Sequence, residues 1–564
     1  MSKKLTDQIH HSCELSETKV IDYTTAVYVD GDGLKPDYAE LPIAKGETGS
    51  TALEGVEIRS DQPGASAVIV NGGQYAIADA KIEMKTAGDG KEVCDFVGLG
   101  SAVDAFSGAK VTVKNSVIET TGVAKCAIFA DDGSDVVVEN CSLSAMGGKL
   151  YDGYINSADF NYMVAPPWVL GIMGNARVTN LMGEKASTAL INCDITASNW
   201  GAVSTDNGEH NLLTVADTTL TLTGIAGEKE TNPYFKKYGS GYGTYILGCH
   251  EDFYGVTMNV GTYIGIARDG SAVYRSSNGV IRHVSPTTGQ ILYEGQGKGR
   301  KSILNSDGFG IMAHGWANIT LTDGTEMNTA DAAFLLRCGG IKINVEDKAQ
   351  INTASGVILQ VIDDDDASVG VDWDSKIELE FHREFNEKAG WPSENGQISS
   401  MMPPPPPPPP MPEGEEPPPP PQFDVNFRAA DVVLKGNLYN GSGYYGQKAK
   451  QLYVTLDAGA KLTGTISATE TIHVNEKGEQ NTHFTIDQYY YLGHVANRNY
   501  LNGDNAVEVT MNAGSVWTVT EEGLLTALTV NEGAAFHGKL TVNGTETVPE
   551  AGKTYTGELV VAPK

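Results

Sequence analysis

Six segments of the chain end on polar groups at what reads as the same position of a repeating unit. They are Ala127-Ile-Phe-Ala-Asp-Asp-Gly133, Ala202-Val-Ser-Thr-Asp-Asn-Gly208, Tyr245-Ile-Leu-Gly-Cys-His250, Gly310-Ile-Met-Ala-His-Gly315, Leu335-Leu-Arg-Cys-Gly-Gly340 and Ile358-Leu-Gln-Val-Ile-Asp-Asp364. Aligned on their apolar halves, they bring Asp206, His250, His314, Arg337 and the run Asp363 to Asp366 onto nearby repeats. Two imidazoles, a guanidinium and carboxylates together supply a base, an acid and an anion stabiliser. We therefore assign His314, Arg337, His250 and Asp206 as candidate catalytic residues. Trp200, Tyr245, Tyr254 and Trp316 gather in the same stretch, and aromatic faces of this kind pack on sugar rings or other planar ligands. With Asp363 they form the candidate substrate-binding set. A lone imidazole in a turn is commonly just hydrogen-bonded, and a lone aromatic just a packing lid, so the assignment rests on the joint alignment.

The elements that must position these residues are visible as a period. An apolar residue, any residue, an apolar residue, any residue and then Asn or Asp recurs as Val111-Thr-Val-Lys-Asn115 and Val136-Val-Val-Glu-Asn140, whose asparagines are 25 residues apart. The same unit ends at Asp79, Asp217, Asp323 and Asp347, and a variant of it ends at Asn192, Asp457, Asn512 and Asn531. Strand-like alternation at this period describes short coils that bury their inner faces only by stacking, about 4.8 Å apart. Asn or Asp suits the corner, since its short side chain tolerates the left-handed region and bonds to local backbone. Stacked corners could also bond to one another along the axis. Hairpin signals such as Val70-Asn-Gly do not recur with the period, which disfavours a β-sandwich array.

The fold expected is an all-β, right-handed parallel β-helix, a solenoid with a polyproline insertion and terminal caps. The corner unit and its spacing resemble the pectin-lyase-like right-handed parallel β-helix superfamily, over roughly residues 50 to 375 and 425 to 545. That resemblance is one of architecture. It implies a group that includes polysaccharide lyases, glycoside hydrolases, pectin methylesterases, epimerases, adhesins and phage tailspikes, so it does not select a chemistry. The superfamily's uronate lyases cluster calcium carboxylates with a basic residue. This chain offers Arg337 and Arg282 without a matching motif, and no catalytic residue is carried over.

Composition narrows the partners. With 71 acidic against 40 basic residues the formal charge is −31, which repels nucleic acid, anionic membranes and, without a bridging cation, polyuronates. No stretch is long and apolar enough for a membrane helix. The seven cysteines are widely spaced and never in a C-x-x-C pair, which argues against a disulfide framework or a zinc site. Asp363 to Asp366 could hold Ca²⁺ but lack EF-hand spacing, so neither a cofactor nor a metal is expected. The opening residues contain no secretory apolar stretch, which points to a cytoplasmic protein, or to a secreted one if a leader has been trimmed.

The chain divides into four regions: a cap over 1–45, coils over 46–400 that carry the candidate groove, a polyproline loop or linker over 401–422, and further coils with a cap over 423–564. The third holds 14 of the 24 prolines and cannot join a sheet. The functional expectation is a cofactor-independent acid/base enzyme (a lyase, isomerase or glycoside hydrolase) acting on a neutral hydroxyl-rich ligand, most simply a carbohydrate. Two rivals remain at this level: an adhesin or structural binding module, and an enzyme acting on a small aromatic or polyphenolic molecule. Oligomeric state is not legible.

Overall fold

The structure is a computed structural model that describes all residues except 1–3, 6–7, 13–20, 86–95, 151–165, 167–169, 226–233, 364, 366–377, 380–423 and 443–449. Among the described residues there is no α-helix, and nearly every strand pairs in parallel with the strand one coil away.

One coil shows the plan. Ile128–Ala130, Asp135–Glu139 and Ser142–Met146 turn through three faces. They stack on Val103–Phe106, Lys110–Lys114 and Val117–Thr121 below, and beneath Thr179–Glu184, Ser187–Ile191 and Asp194–Ala197 above. The result is an all-β parallel solenoid. Inward residues such as Val111, Val113, Ile118, Val136, Val138, Leu143 and Leu190 belong to one continuous buried cluster running along the chain. Each such side chain contributes about 1.5–3 kcal/mol by leaving water, but only once the next coil covers it.

In the middle coils the first and second faces merge. Gly241–Tyr254, Tyr263–Arg275 and Phe309–Leu321 run unbroken through the corner, with register shifts where they bend. Gly241–Tyr254 therefore pairs with both Trp200–Glu209 and Asn211–Ala216. Third-face strands stay separate as their own sheet, from Ile43–Lys45 to Gln350–Thr353.

The corners between second and third faces bear out the Asn/Asp reading along much of the molecule. Asp79, Asn115, Asn140, Asn192, Asp217, Asp323 and Asp347 all adopt left-handed backbone, with φ between 49° and 56°. Asn140 Nδ2 donates to Asn115 Oδ1 at 3.4 Å, and Asn192 Nδ2 to Asn140 Oδ1 at 2.6 Å. Asp457, Asn512 and Asn531 differ: the left-handed residue is the glycine two positions on (Gly459, Gly514, Gly533). Their side chains still stack, Asn512 on Asp457 at 2.6 Å and Asn531 on Asn512 at 2.7 Å.

Antiparallel pairs close both ends, Ile43–Lys45 against Glu57–Ser60 and Lys553–Ala562 against Gly523–Val530. Between them, Ile341–Glu346 pairs directly with Val425–Ala430, so the intervening chain leaves and rejoins the same ladder. The polyproline segment 401–422 lies outside the described residues.

Among the described residues, two excursions project from the coils. A hairpin, Val280–Val284 with Ile291–Gln296, folds onto the second face, where His283 bonds to Thr214 Oγ1 at 2.9 Å and Ser187 Oγ at 3.1 Å. The second leaves the first face along Ile466–His473, passes through a 3-10 turn over Ile486–Tyr491 and returns along Val495–Asn499. Phe484, Tyr489 and Leu492 of this excursion pack with Phe235, and Val495 packs against a first-face cluster of Tyr242, Tyr263, Phe309 and Leu335. The excursion is a roof over the first face.

Candidate functional site

Most of the residues singled out from sequence lie on the first face, part of which the roof covers. Ala267, Ala313 and Leu336 are in register, so His314 and Arg337 do fall on neighbouring coils. Both are buried, and His314 sits opposite Cys338. The Arg337 Nε donates to Asp365, whose other oxygen accepts from His473 Nε2 at 3.0 Å and from the Gly493 N–H at 2.8 Å. Burial pushes the Asp365 carboxyl up, but the Arg337 guanidinium and His473 outweigh it and hold the group far below the usual carboxylate range. Lys450 Nζ, also buried, donates to the Arg337 and Ile362 carbonyls at 2.7 and 2.8 Å. Asp206 is likewise sealed: Arg177 Nη1 donates to it at 2.7 Å while the guanidinium lies 4.3 Å over the Trp200 ring. Tyr245 packs at a tilt to Tyr242, with ring centroids 5.7 Å apart, on the same face.

The remaining residues are elsewhere. His250 lies beyond the bend of Gly241–Tyr254, opposite Leu212 and Ser271 on the second face, because the bulge at Leu247 and the unbroken strand shift the count. It bonds to Ser271 Oγ at 2.7 Å and Asp252 at 3.1 Å. Tyr254 is on that face too, covered by Arg275 at 4.8 Å. Trp316, opposite Asp269 and 47% exposed, edges a small hollow of about 430 Å³ with Ser271, Asn318 and Lys342. Asp363 is half-buried, two residues before Asp365, while Asp364 and Asp366 lie outside the described residues. The sequence-derived set thus divides between a sealed first face and an open second face and does not line one groove.

A larger groove, of about 1020 Å³, opens where the roof meets the third face. Its floor carries Asn305, Asn328 and Asn352, the third residues of Ile303–Ser306, Glu326–Thr329 and Gln350–Thr353. Their carboxamides form a ladder: Asn305 Nδ2 donates to Asn259 Oδ1 at 3.0 Å, Asn328 to Asn305 at 3.0 Å and Asn352 to Asn328 at 2.8 Å. Tyr234, Tyr238 and Tyr491 stand along the wall, with Tyr491 supplied by the roof. Tyr238 also donates its hydroxyl to Asn259 at 3.0 Å. Lys236, Lys237 and Lys435 balance Asp307, Asp331 and Glu476, so the groove is neutral in a strongly acidic molecule.

At one side Asp331 joins the floor to the roof. His494 Nε2 approaches its Oδ2 to 3.0 Å, and the Tyr234 hydroxyl donates to the same oxygen at 2.7 Å. Burial disfavours the charge on each partner, yet the opposite charge prevails: the His494 imidazole is raised above its ordinary value and the Asp331 carboxyl lowered. Asp307 accepts the backbone N–H groups of Lys237 and Tyr238 at 2.7 and 2.8 Å, which fixes the segment bearing the wall. Among the described residues no three His, Cys, Asp or Glu side chains converge as a metal site.

These groove residues were not singled out from sequence. The signal for the floor is present in Thr257-Met-Asn-Val, Ile303-Leu-Asn-Ser, Glu326-Met-Asn-Thr and Gln350-Ile-Asn-Thr. Nothing local to His494 or Tyr491 announces their partners, which lie more than a hundred residues away. No family model matches the chain, and no curated protein matches it in sequence.

Proposed function

We propose that this solenoid winds right-handed, as in the pectin-lyase-like β-helices, and binds a neutral hydroxyl-rich ligand, most simply a carbohydrate, in the groove between third face and roof. The observation that carries this reading is the pairing of a tyrosine wall with a floor of amides. Aromatic faces cover the apolar side of a sugar ring, and carboxamides offer both donors and acceptors to its hydroxyls. Screening the full chain against a panel of neutral glycans tests it. The Tyr238→Ala/Asn328→Ala double variant is expected to lose at least about tenfold in affinity, roughly 1.4 kcal/mol, with its circular dichroism unchanged. If no neutral glycan is retained, or the double variant binds as the parent does, the reading fails.

The Asp331–His494 pair favours a second reading, in which the site also carries out acid/base chemistry. An imidazole raised above its ordinary value by a carboxylate that lines the groove is a candidate proton donor. Its test is turnover of a bound glycan. A His494→Gln variant should keep binding and lose activity, and activity retained in that variant would remove His494 from any such role.

A further inference from the structure

Along the third face, one outward-facing position can be followed coil by coil through the strand register. It reads Arg59, Glu83, Glu119, Ser144, Thr196, Thr221, Asn259, Asn305, Asn328 and Asn352. Four consecutive asparagines therefore stand where the tyrosine wall stands, and none occurs at this position in the six coils before them. Asn is disfavoured within strands, where Thr or Val would pack better on the pleated surface. The corner asparagines have a backbone reason for being there, their left-handed φ, and these four do not: none is among the residues of positive φ. Nor does burial demand them, since they are half-buried or exposed.

Each rung uses one N–H to reach the carbonyl of the rung below. A carboxamide has two N–H donors and two lone pairs, so hydrogen-bonding capacity remains at each level, although the second N–H of Asn328 also reaches Glu326 at 3.2 Å. These capacities repeat with the strand spacing, about 4.8 Å, and Asn259 to Asn352 spans about 14 Å along the axis. A pyranose unit in an extended β-linked chain advances by a comparable length.

Building on the carbohydrate reading, we infer that the groove recognises an extended polymer, a β-1,4-linked neutral glycan lying parallel to the solenoid axis with one sugar unit per coil. Asn305, Asn328 and Asn352 then define three successive subsites, each offering the same amide to a hydroxyl of its sugar unit, drawn from opposite edges of the ring in alternate units because β-1,4-linked units flip by about half a turn. The groove volume, about 1020 Å³, exceeds what one ring fills.

The test is calorimetric titration of the full chain with β-1,4-linked gluco-oligosaccharides from glucose to the hexaose, alongside the curled α-1,4-linked series. Affinity should rise about fivefold for each unit up to the trisaccharide and then level off, the factor given by ~1 kcal/mol of net hydrogen bonding per rung. Asn352→Ala, at the open end of the row, should move the levelling point down by one unit without altering the melting transition. Glucose binding as tightly as the trisaccharide, equal binding of the α-linked series, or a levelling point unmoved in Asn352→Ala would each overturn the one-unit-per-coil match. Those results would leave the carbohydrate reading standing. Absence of binding to any neutral glycan would remove both.

Discussion

On the first face, Arg177, Asp206, Arg337 and Asp365 are charged, fully enclosed and matched to one another. On the third face, Asn305, Asn328 and Asn352 are neutral, open to solvent at their edges and repeated in register. Both sets are polar residues on neighbouring coils, and either could be mistaken for a site in a linear alignment. They differ in what holds them. A charge sealed inside the fold must be answered by another charge, so its position follows from its partner. An amide in the middle of a solvent-facing strand bonds to its ladder neighbours but has no backbone reason to be there, and it keeps hydrogen-bonding capacity to spare. The contrast teaches that polar residues which balance one another inside serve the fold, whereas those that keep hydrogen-bonding capacity at the surface are the ones on which the proposed ligand site rests.

The sharpest way to break this contrast is to remove one sealed charge. Arg337→Ala leaves Asp365 buried with His473 and the Gly493 N–H but without its guanidinium, and should cost about 3–5 kcal/mol in denaturant unfolding. A loss within about 0.5 kcal/mol would mean the roof opens readily and the first face is not sealed. Next comes the bore of the solenoid, a third environment. Glu251 lies there fully buried, accepting from Thr244 Oγ1 at 2.7 Å and Thr205 Oγ1 at 3.3 Å, and burial pushes its carboxyl up to about 8. Its folded pKa stands above the ordinary 4.5, so the protonated form is favoured by folding. Stability from this group is full below about pH 4.5 and is lost as pH rises towards about 8. Glu251→Gln should abolish that component of the pH dependence in denaturant midpoints, and an identical profile in the variant would place a charged Glu251 in the folded core.

Smaller effects separate the two asparagine ladders. Asn140→Ala should lose about 1–2 kcal/mol, because its corner is left-handed, while Asn140→Gly should recover most of the loss. Equal destabilisation by both would show that the side-chain ladder, and not the backbone, holds the corner. Asn328→Thr should leave the unfolding free energy within about 0.5 kcal/mol of the parent, or slightly raise it, since Thr suits a strand better. A substantial loss there would return the groove floor to the class of structural ladders.

Much of the fold was legible because the backbone demands it. Asn115, Asn140, Asp79 and Asp217 occupy left-handed corners, and few residue types tolerate that geometry, so the period shows in the sequence. At Asp457, Asn512 and Asn531 the demand shifts to the following Asx-x-Gly glycine, a variant the sequence also carries. The site was less legible for two reasons. His250 was misplaced because Gly241–Tyr254 carries two faces in one strand, so counting from the polar end overshoots the bend. Arg337 read as a free guanidinium because the groups that complete its enclosure, His473 and Gly493, come from a segment over a hundred residues later. The amide floor was hidden by resemblance: mid-strand asparagines look like corner asparagines until the register separates them.

The direct pairing of Ile341–Glu346 with Val425–Ala430 has a consequence for how the molecule bears load. Tension applied to the two ends passes through the hydrogen bonds between successive coils, and this pair carries it in the same parallel register as its neighbours. Under such pulling the coils would peel away singly, with no weaker step where Ile341–Glu346 meets Val425–Ala430, so the two stretches of coil would resist as one rod.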